Sequence, residues 1–198
     1  MDEDVPKVDA ARTALVLMDF QPAVLVLGAL TESDTASLLA NAEKALTWAR
    51  STGLTVAHVR VAFRDADYAA IPEHNRAFAP LRGGRIMADG SMECEIVESL
   101  RPQRDEIVVR KTRFGSFSTT SLSDLLREAG IESLILAGIT TSGVVLSTVR
   151  DAADQDFQVY VLADACADSN PQVHSLLTET VFPQQAYVTS TAQLNQLV

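Results

Sequence analysis

The chain has 198 residues, 47% of them hydrophobic, and carries 16 basic against 26 acidic residues for a net charge of −10. This length and composition suit one folded domain, residues 1–198, and exclude disordered and low-complexity chains. The negative charge would repel nucleic-acid phosphates and anionic membranes, so we expect neither partner. With only Cys94 and Cys166, an acidic N-terminus and no apolar run of membrane-spanning length, a cytoplasmic protein is expected.

Strand and helix patterns alternate from the start of the chain. Ala14–Met18 is apolar throughout, which is typical of a strand covered on both faces. Apolar residues at helical spacing follow over 35–50, with Gly53 as a stop, and a second strand is predicted over 54–61. The polar segment 62–90 is too long for an ordinary connection, so we expect a functional loop or short helices there.

The second half continues the alternation. The patterns predict, in chain order, a short helix over 91–100, a strand over 107–109, a helix over 119–129 ending at Gly130, a strand over 133–138, a helix over 144–156, a strand over 159–163, a helix over 173–182, a strand over 186–188 and a terminal helix. Six strands alternating with helices predict an α/β fold, with a doubly wound, mainly parallel sheet between two helical layers. In such sheets function lies at the carboxyl ends of the strands.

Several standard motifs are absent from the sequence. It contains no G-x-G-x-x-G after the first strand, no phosphate-binding G-x-x-x-x-G-K-[ST] and no G-x-S-x-G nucleophile elbow. The histidines His58, His74 and His174 are widely spread, and His58 fits a core position in its apolar strand better than a ligand role. We therefore expect no metal and no cofactor.

An acid and a base remain at strand ends. Asp19 directly follows the first strand, and Lys111 follows the third. A carboxylate beside an ammonium in a cleft can exchange protons with a substrate, each group setting the pKa of the other. A structural ion pair is the alternative, and the spacing alone does not decide between them.

Four segments together resemble the isochorismatase-like hydrolase superfamily, which includes isochorismatases, nicotinamidases and N-carbamoylsarcosine amidases. They occur in family order and read ALVLMDFQ at 14–21, KTRFGSF at 111–117, LAGITTSGVVLST at 136–148 and VLADACAD at 161–168. The resemblance implies a hydrolase of a small-molecule substrate, homodimeric or homotetrameric, with Asp19 and Lys111 as catalytic residues.

The third catalytic residue of most of that superfamily is missing. The family motif G-x-x-T-x-x-C-V reads G-I-T-T-S-G-V-V here, so Val144 stands at the position of the nucleophilic cysteine. A valine cannot attack a carbonyl carbon. Thr141 and Ser142 lie nearby but outside the helix-start position, and Cys94 and Cys166 fit small buried hydrophobes better than nucleophiles.

Isochorismatases cleave a vinyl ether by acid catalysis without this cysteine, and their K-x-R-[YF]-S-A-F segment resembles the one that begins at Lys111. The resemblance therefore implies ether hydrolysis with Asp19 as proton donor, although Val144 is larger than the glycine usual there. It also implies a cis peptide between Ile139 and Thr140. The substrate-binding residues that it implies are Gln21, Arg113, Phe114, Thr140, Thr141 and Gly143.

Three hypotheses stay open from the sequence. The first is a cysteine-independent hydrolase of a small anionic metabolite, cleaving either a C–O or a C–N bond. The second is a catalytically silent binding or regulatory protein of the same fold, and the third is a purely structural or assembly protein. Retention of Asp19 and Lys111 favours the enzyme, because a buried ion pair is costly to keep without a use.

Overall fold

The computed structural model describes residues 5–28 and 30–198. Six parallel strands within these ranges form one sheet in the order β3-β2-β1-β4-β5-β6, which confirms the predicted α/β fold. The strands are β1 (Thr13–Met18), β2 (Thr55–Val61), β3 (Ile107–Lys111), β4 (Ser133–Ile139), β5 (Gln158–Ala167) and β6 (Tyr187–Thr189).

Helices cover both faces of the sheet. They are α1 (Pro22–Leu27), α2 (Glu32–Thr52), α3 (Asp65–Ala69), α4 (Ala79–Gly84), α5 (Leu122–Glu128), α6 (Leu146–Asp154) and α7 (Pro171–Leu176). Shorter 3₁₀ turns occur at Ala10–Arg12, Met92–Cys94, Glu98–Leu100, Phe182–Gln184 and Thr191–Gln196, and π-helical turns at Thr141–Val145 and Leu177–Val181. Across both described ranges, no helix has the length and apolar character needed to cross a membrane.

Two buried apolar clusters, one on each face, hold the layers together. Alternate residues of β1 enter opposite clusters, since Leu15 and Leu17 belong to one and Val16 and Met18 to the other. A strand buried on both faces must be apolar at every position, as the run of β1 is. Burial of a leucine or valine side chain contributes about 1.5–3 kcal/mol, so these clusters are the main source of stability.

Local signals explain where α2 begins and ends. The Oγ1 of Thr31 accepts a hydrogen bond from the backbone N–H of Asp34 at 3.1 Å and caps the first turn. Gly53 adopts the left-handed conformation, with φ of 77°, that ends the helix. The helix extends a few residues beyond the predicted 35–50 at each end. The predicted bounds followed the apolar residues, and the two capping residues lie outside them.

Ion pairs attach the long segment after β2 to the edge of the sheet. Asp89 pairs with Arg60 and Arg64, each at 2.8 Å, and Arg110 pairs with Asp67 at 2.7 Å. These contacts join β2, β3 and α3. The segment carries the short helices α3 and α4, one of the two forms expected for it.

Two predicted helices are corrected by the structure. The segment 91–100 forms two 3₁₀ turns instead of one helix, because its backbone is committed to tertiary partners. The carbonyl of Cys94 accepts from the Gln21 side chain at 2.6 Å, and the Val97 N–H donates to the carbonyl of Phe20 at 3.0 Å. The terminal helix is a 3₁₀ helix over Thr191–Gln196.

Candidate active site

The candidate site centres on an ion pair between two strand ends. Asp19 follows β1 and Lys111 ends β3, and the Nζ atom of Lys111 lies 2.7 Å from Oδ2 of Asp19. The same Nζ donates to the backbone carbonyls of Arg113 at 3.0 Å and Phe114 at 2.8 Å. An ammonium has three donors, so all three of Lys111 are used inside the protein. Lys111 therefore acts on Asp19 as a fixed, buried charge.

The second carboxylate oxygen of Asp19 is left open. Its Oδ1 is buried and has no hydrogen-bond partner among the described residues, although buried polar atoms are normally paired. The backbone of Asp19 lies in the left-handed region, with φ of 61°, and its N–H donates to the carbonyl of Val59 at 2.8 Å. A non-glycine residue there is uncommon and is found at functional sites.

Burial makes this carboxyl group a weaker acid than an ordinary aspartate. Desolvation raises the pKa of Asp19 from 3.8 to about 6, against the opposing charge and hydrogen bond of Lys111. A group that titrates near neutral pH can both donate and accept a proton in one reaction cycle. The open oxygen and the raised pKa together make Asp19 a candidate general acid–base.

The turn after β4 carries Val144, the residue that the resemblance aligns with the family's nucleophilic cysteine. The peptide bond between Ile139 and Thr140 is cis, as the resemblance implies, and the turn Thr141–Val145 leads into α6. Val144 is buried in the same apolar cluster as Met18, the residue before Asp19. A Cβ atom on Gly143 would lie 2.7 Å from Oγ1 of Thr140 and 3.6 Å from the ring of Phe114, so this turn packs against the segment after Lys111.

Polar contacts from β5 and α7 hold that turn. Oδ2 of Asp168 accepts from the backbone N–H of Ser142 at 2.8 Å and from its hydroxyl at 2.6 Å. Burial would raise the pKa of Asp168, but the hydrogen bonds from Ser142 and Asn170 outweigh it and lower that pKa. The buried Thr141 hydroxyl lies 2.8 Å from Nδ1 of His174, whose pKa burial lowers.

These contacts give Thr141 a structural role. Its hydroxyl is bonded to His174 and fully buried, so it supports the turn, and its substrate-binding role stays a prediction. No role for Asp168 or His174 is predicted from the sequence. The VLADACAD segment did contain a signal for Asp168, which follows β5 at the same edge of the sheet as Asp19.

Arg113 and Phe114, two other predicted binding residues, form a wall with Phe78, which was not predicted to lie at the site. The guanidinium of Arg113 lies 5.2 Å from the ring centre of Phe78, and the rings of Phe78 and Phe114 are 4.9 Å apart. Phe114 is 50% exposed, whereas its neighbours Lys111 and Gly115 are buried. Phe78 precedes α4 in the polar segment, where no periodic pattern distinguishes one apolar residue from another.

Gln21 requires a correction. Both hydrogens of its amide are used, since Nε2 donates to the carbonyls of Val61 at 2.9 Å and Cys94 at 2.6 Å. Its Oε1 accepts from the Val61 N–H at 2.8 Å, and the side chain is fully buried. This amide is not available to a substrate, so the expected binding role does not fit the structure.

Neither cysteine lies in surroundings that would make its thiol a nucleophile. Both are free and buried, and burial raises the pKa of Cys166 to about 12 and that of Cys94 above its usual value. The thiolate is the nucleophile, so a thiol held protonated reacts slowly.

A cavity of about 1000 Å³ lies at the other end of the sheet, between the N-terminal segment and the starts of β5 and β6. Its lining includes Phe157, Gln184 and Tyr187 and contains none of the predicted site residues. The ion pair and the acidity of Asp19, rather than cavity size, identify the candidate site.

Known proteins similar to this chain identify its family. Residues 13–193 match the Isochorismatase domain. A ureidoacrylate amidohydrolase RutB from Pseudomonas syringae pv. syringae is 32% identical over 177 residues, which are 81% of this chain and 72% of that protein. The protein is a hydrolase. The chain belongs to the isochorismatase family, which confirms the superfamily resemblance.

Solved structures agree with this fold. A cysteine hydrolase from Pseudomonas syringae pv. phaseolicola superposes with a TM-score of 0.86 at 24% identity, covering 100% of this chain and 98% of its own. An N-carbamoylsarcosine amidase from Thermoplasma acidophilum gives a TM-score of 0.73 at 26% identity, covering 91% of this chain and 96% of its own. These neighbours share the flanked parallel sheet.

Proposed function

We propose that this protein hydrolyses a small anionic metabolite with Asp19 as general acid–base, Lys111 as its charge partner, and no cysteine nucleophile. The observation that carries the proposal is the Asp19 carboxyl group, which has one oxygen 2.7 Å from Lys111 and the other buried without a partner in the described residues. A route without a thiol is supported by Val144, which the resemblance aligns with the family's cysteine, and by the burial of Cys94 and Cys166.

The bond that suits this arrangement is the C–O bond of a vinyl ether. Protonated Asp19 gives its proton to the enol-ether carbon and forms an oxocarbenium ion, and water then adds to the cationic carbon. The carboxylate of Asp19 takes the proton released by that water, and the hemiketal collapses to a ketone and an alcohol. The two proton transfers need a group of near-neutral pKa, and no step forms a covalent bond to the enzyme.

The anionic character of the substrate is proposed from the wall beside the ion pair. The guanidinium of Arg113 and the exposed ring of Phe114 both contact the ring of Phe78. A guanidinium binds carboxylates with paired hydrogen bonds, and an aromatic face suits an unsaturated carbon skeleton.

Amide hydrolysis is the competing reaction, because relatives of this chain are named amidohydrolases and an amidase. The experiment is a rate comparison on two matched series of small carboxylates, one carrying a vinyl ether such as isochorismate and the other an amide. The variants are Asp19→Asn, the double variant Cys94→Ser/Cys166→Ser, and Asp67→Asn. The last removes a carboxylate that pairs with Arg110 at 2.7 Å outside the site.

We expect turnover of a vinyl ether, a loss of about 10²–10⁴-fold in Asp19→Asn and nearly unchanged rates in the other two variants. Amide turnover that disappears in the folded double cysteine variant would refute the mechanism. Binding of the carboxylates without any turnover would instead favour the catalytically silent binding protein. The homodimeric or homotetrameric state and the cytoplasmic location stay predictions.

A further inference from the structure

The side chain of Gln21 joins three segments that meet beside the ion pair. It follows Asp19 by two residues, and its amide bonds both the N–H and the carbonyl of Val61 at the end of β2. The same amide reaches the carbonyl of Cys94 in the segment between β2 and β3. All three hydrogen bonds are buried.

This side chain continues the sheet where the backbone stops. The ladder between β1 and β2 ends at Met18 and Val59, and Asp19 then turns away with φ of 61°. The next position on β2 available for pairing is Val61, and the Gln21 amide supplies the donor and acceptor that a neighbouring strand would offer. The backbone N–H of Gln21 also donates to the carbonyl of Asp19 at 2.8 Å and closes the turn.

The register of the sheet extends this connection to the other half of the ion pair. Val61 is the direct partner of Lys111 in the ladder between β2 and β3. Gln21 is therefore fixed at one end to the turn of Asp19 and at the other to the residue beside Lys111.

We propose that Gln21 is a positioning residue that holds the Asp19 carboxyl group against Lys111. Its importance for turnover rests on the proposed function, but its effect on Asp19 does not. The amide fixes the turn, and the turn fixes where the carboxyl group lies relative to the ammonium and to water. Apolar replacement leaves one N–H and two carbonyls unpaired and admits water beside Asp19, which removes part of its desolvation.

The test compares Gln21→Met, which keeps the length of the side chain without its hydrogen bonds, and Gln21→Asn, which keeps an amide on a shorter side chain. Asn41→Ala is the matched control, because the Asn41 amide also bridges to a backbone carbonyl, that of Asp164 at 2.7 Å, away from the ion pair. The readouts are the midpoint of thermal unfolding and the titration of Asp19 followed by carbonyl ¹³C NMR without substrate.

We expect the Asp19 titration midpoint to fall by about one pH unit in Gln21→Met and to stay unchanged in Asn41→Ala, while both lose thermal stability. On any substrate found, kcat should fall about 10²-fold with little change in KM. If Gln21→Met does not fold, Gln21→Asn decides. An unchanged Asp19 titration in a folded Gln21 variant would overturn the proposal and leave a structural role only. Since that titration uses no substrate, its result is independent of whether the proposed reaction is correct.

Discussion

The raised pKa of Asp19 makes the stability of the protein depend on pH in a predictable direction. The unfolded chain releases this proton near 3.8 and the folded protein near about 6, so the folded state holds the proton more tightly. The stabilisation from this group is therefore complete below about pH 4 and is lost as the pH rises towards about pH 6. Asp19→Asn removes the titration and with it this pH dependence.

The size of the effect follows from the two pKa values. Their difference, from 3.8 to about 6, corresponds to ~3 kcal/mol at 1.36 kcal/mol per unit. The assay is urea unfolding of the wild type and Asp19→Asn at about pH 4 and about pH 7. We expect the free energy of unfolding of the wild type, taken relative to the variant, to be lower by ~3 kcal/mol at the higher pH. Any constant offset from leaving Lys111 without its carboxylate cancels in this difference.

Two results would refute the reasoning. Parallel pH dependence of the two proteins would mean that Asp19 titrates in the folded state as it does in the unfolded chain. A relative gain in wild-type stability on raising the pH would mean that the attraction of Lys111 outweighs desolvation. In either case the carboxyl group would not be a proton donor near neutral pH, and the acid role proposed for Asp19 would fail with it.

Four further predictions use the same site. The rate of vinyl-ether hydrolysis should fall about tenfold per pH unit above about pH 6, because only protonated Asp19 donates, and a pH–rate profile measures this. Lys111→Met should raise the Asp19 pKa above about 6, since it removes the opposing charge, as ¹³C NMR titration would detect. Val144→Cys should bring slow amide hydrolysis absent from Val144→Ser, measured by ammonia release. Asp168→Ala should cost about 1–3 kcal/mol of unfolding free energy, measured by urea denaturation, because the bonds to Ser142 are lost.

The sheet could be predicted because each strand is specified by its own sequence. Ala14–Met18 was predicted as a strand from continuous apolarity, and β1 occupies Thr13–Met18 with every residue buried. The glycines predicted to end two helices also do so, since Gly53 and Gly130 adopt φ of 77° and 71°. Burial on two faces and left-handed backbone are local requirements, so they leave local signals.

The segment 91–100 shows where local signals fail. Its residues are compatible with a helix, but the carbonyl of Cys94 and the N–H of Val97 bond to Gln21 and Phe20 on another segment. A helix would need these groups for its own ladder. The outcome depends on which tertiary partners are near, and that information is distributed across the whole chain.

The same limit applies to the roles of side chains at the site. Asp19 and Lys111 could be placed together from their strand ends and the resemblance, because parallel strands bring such residues to one edge. The same resemblance implied a substrate-binding role for Gln21, although its amide is fully used by Val61 and Cys94. His174 had no signal at all, since its contact to Thr141 joins residues on separate elements.

The close approach of β4 to β1 restricts how this site can diversify. A Cβ atom on Gly138 would lie 2.8 Å from both Cβ and the carbonyl oxygen of Met18, so any larger residue would push the two strands apart. Asp19 extends from one of these strands and the turn bearing Val144 from the other. The scaffold therefore sets their separation. Substrate preference can change instead through the side chains around them, such as Val144, Phe78 and Phe114.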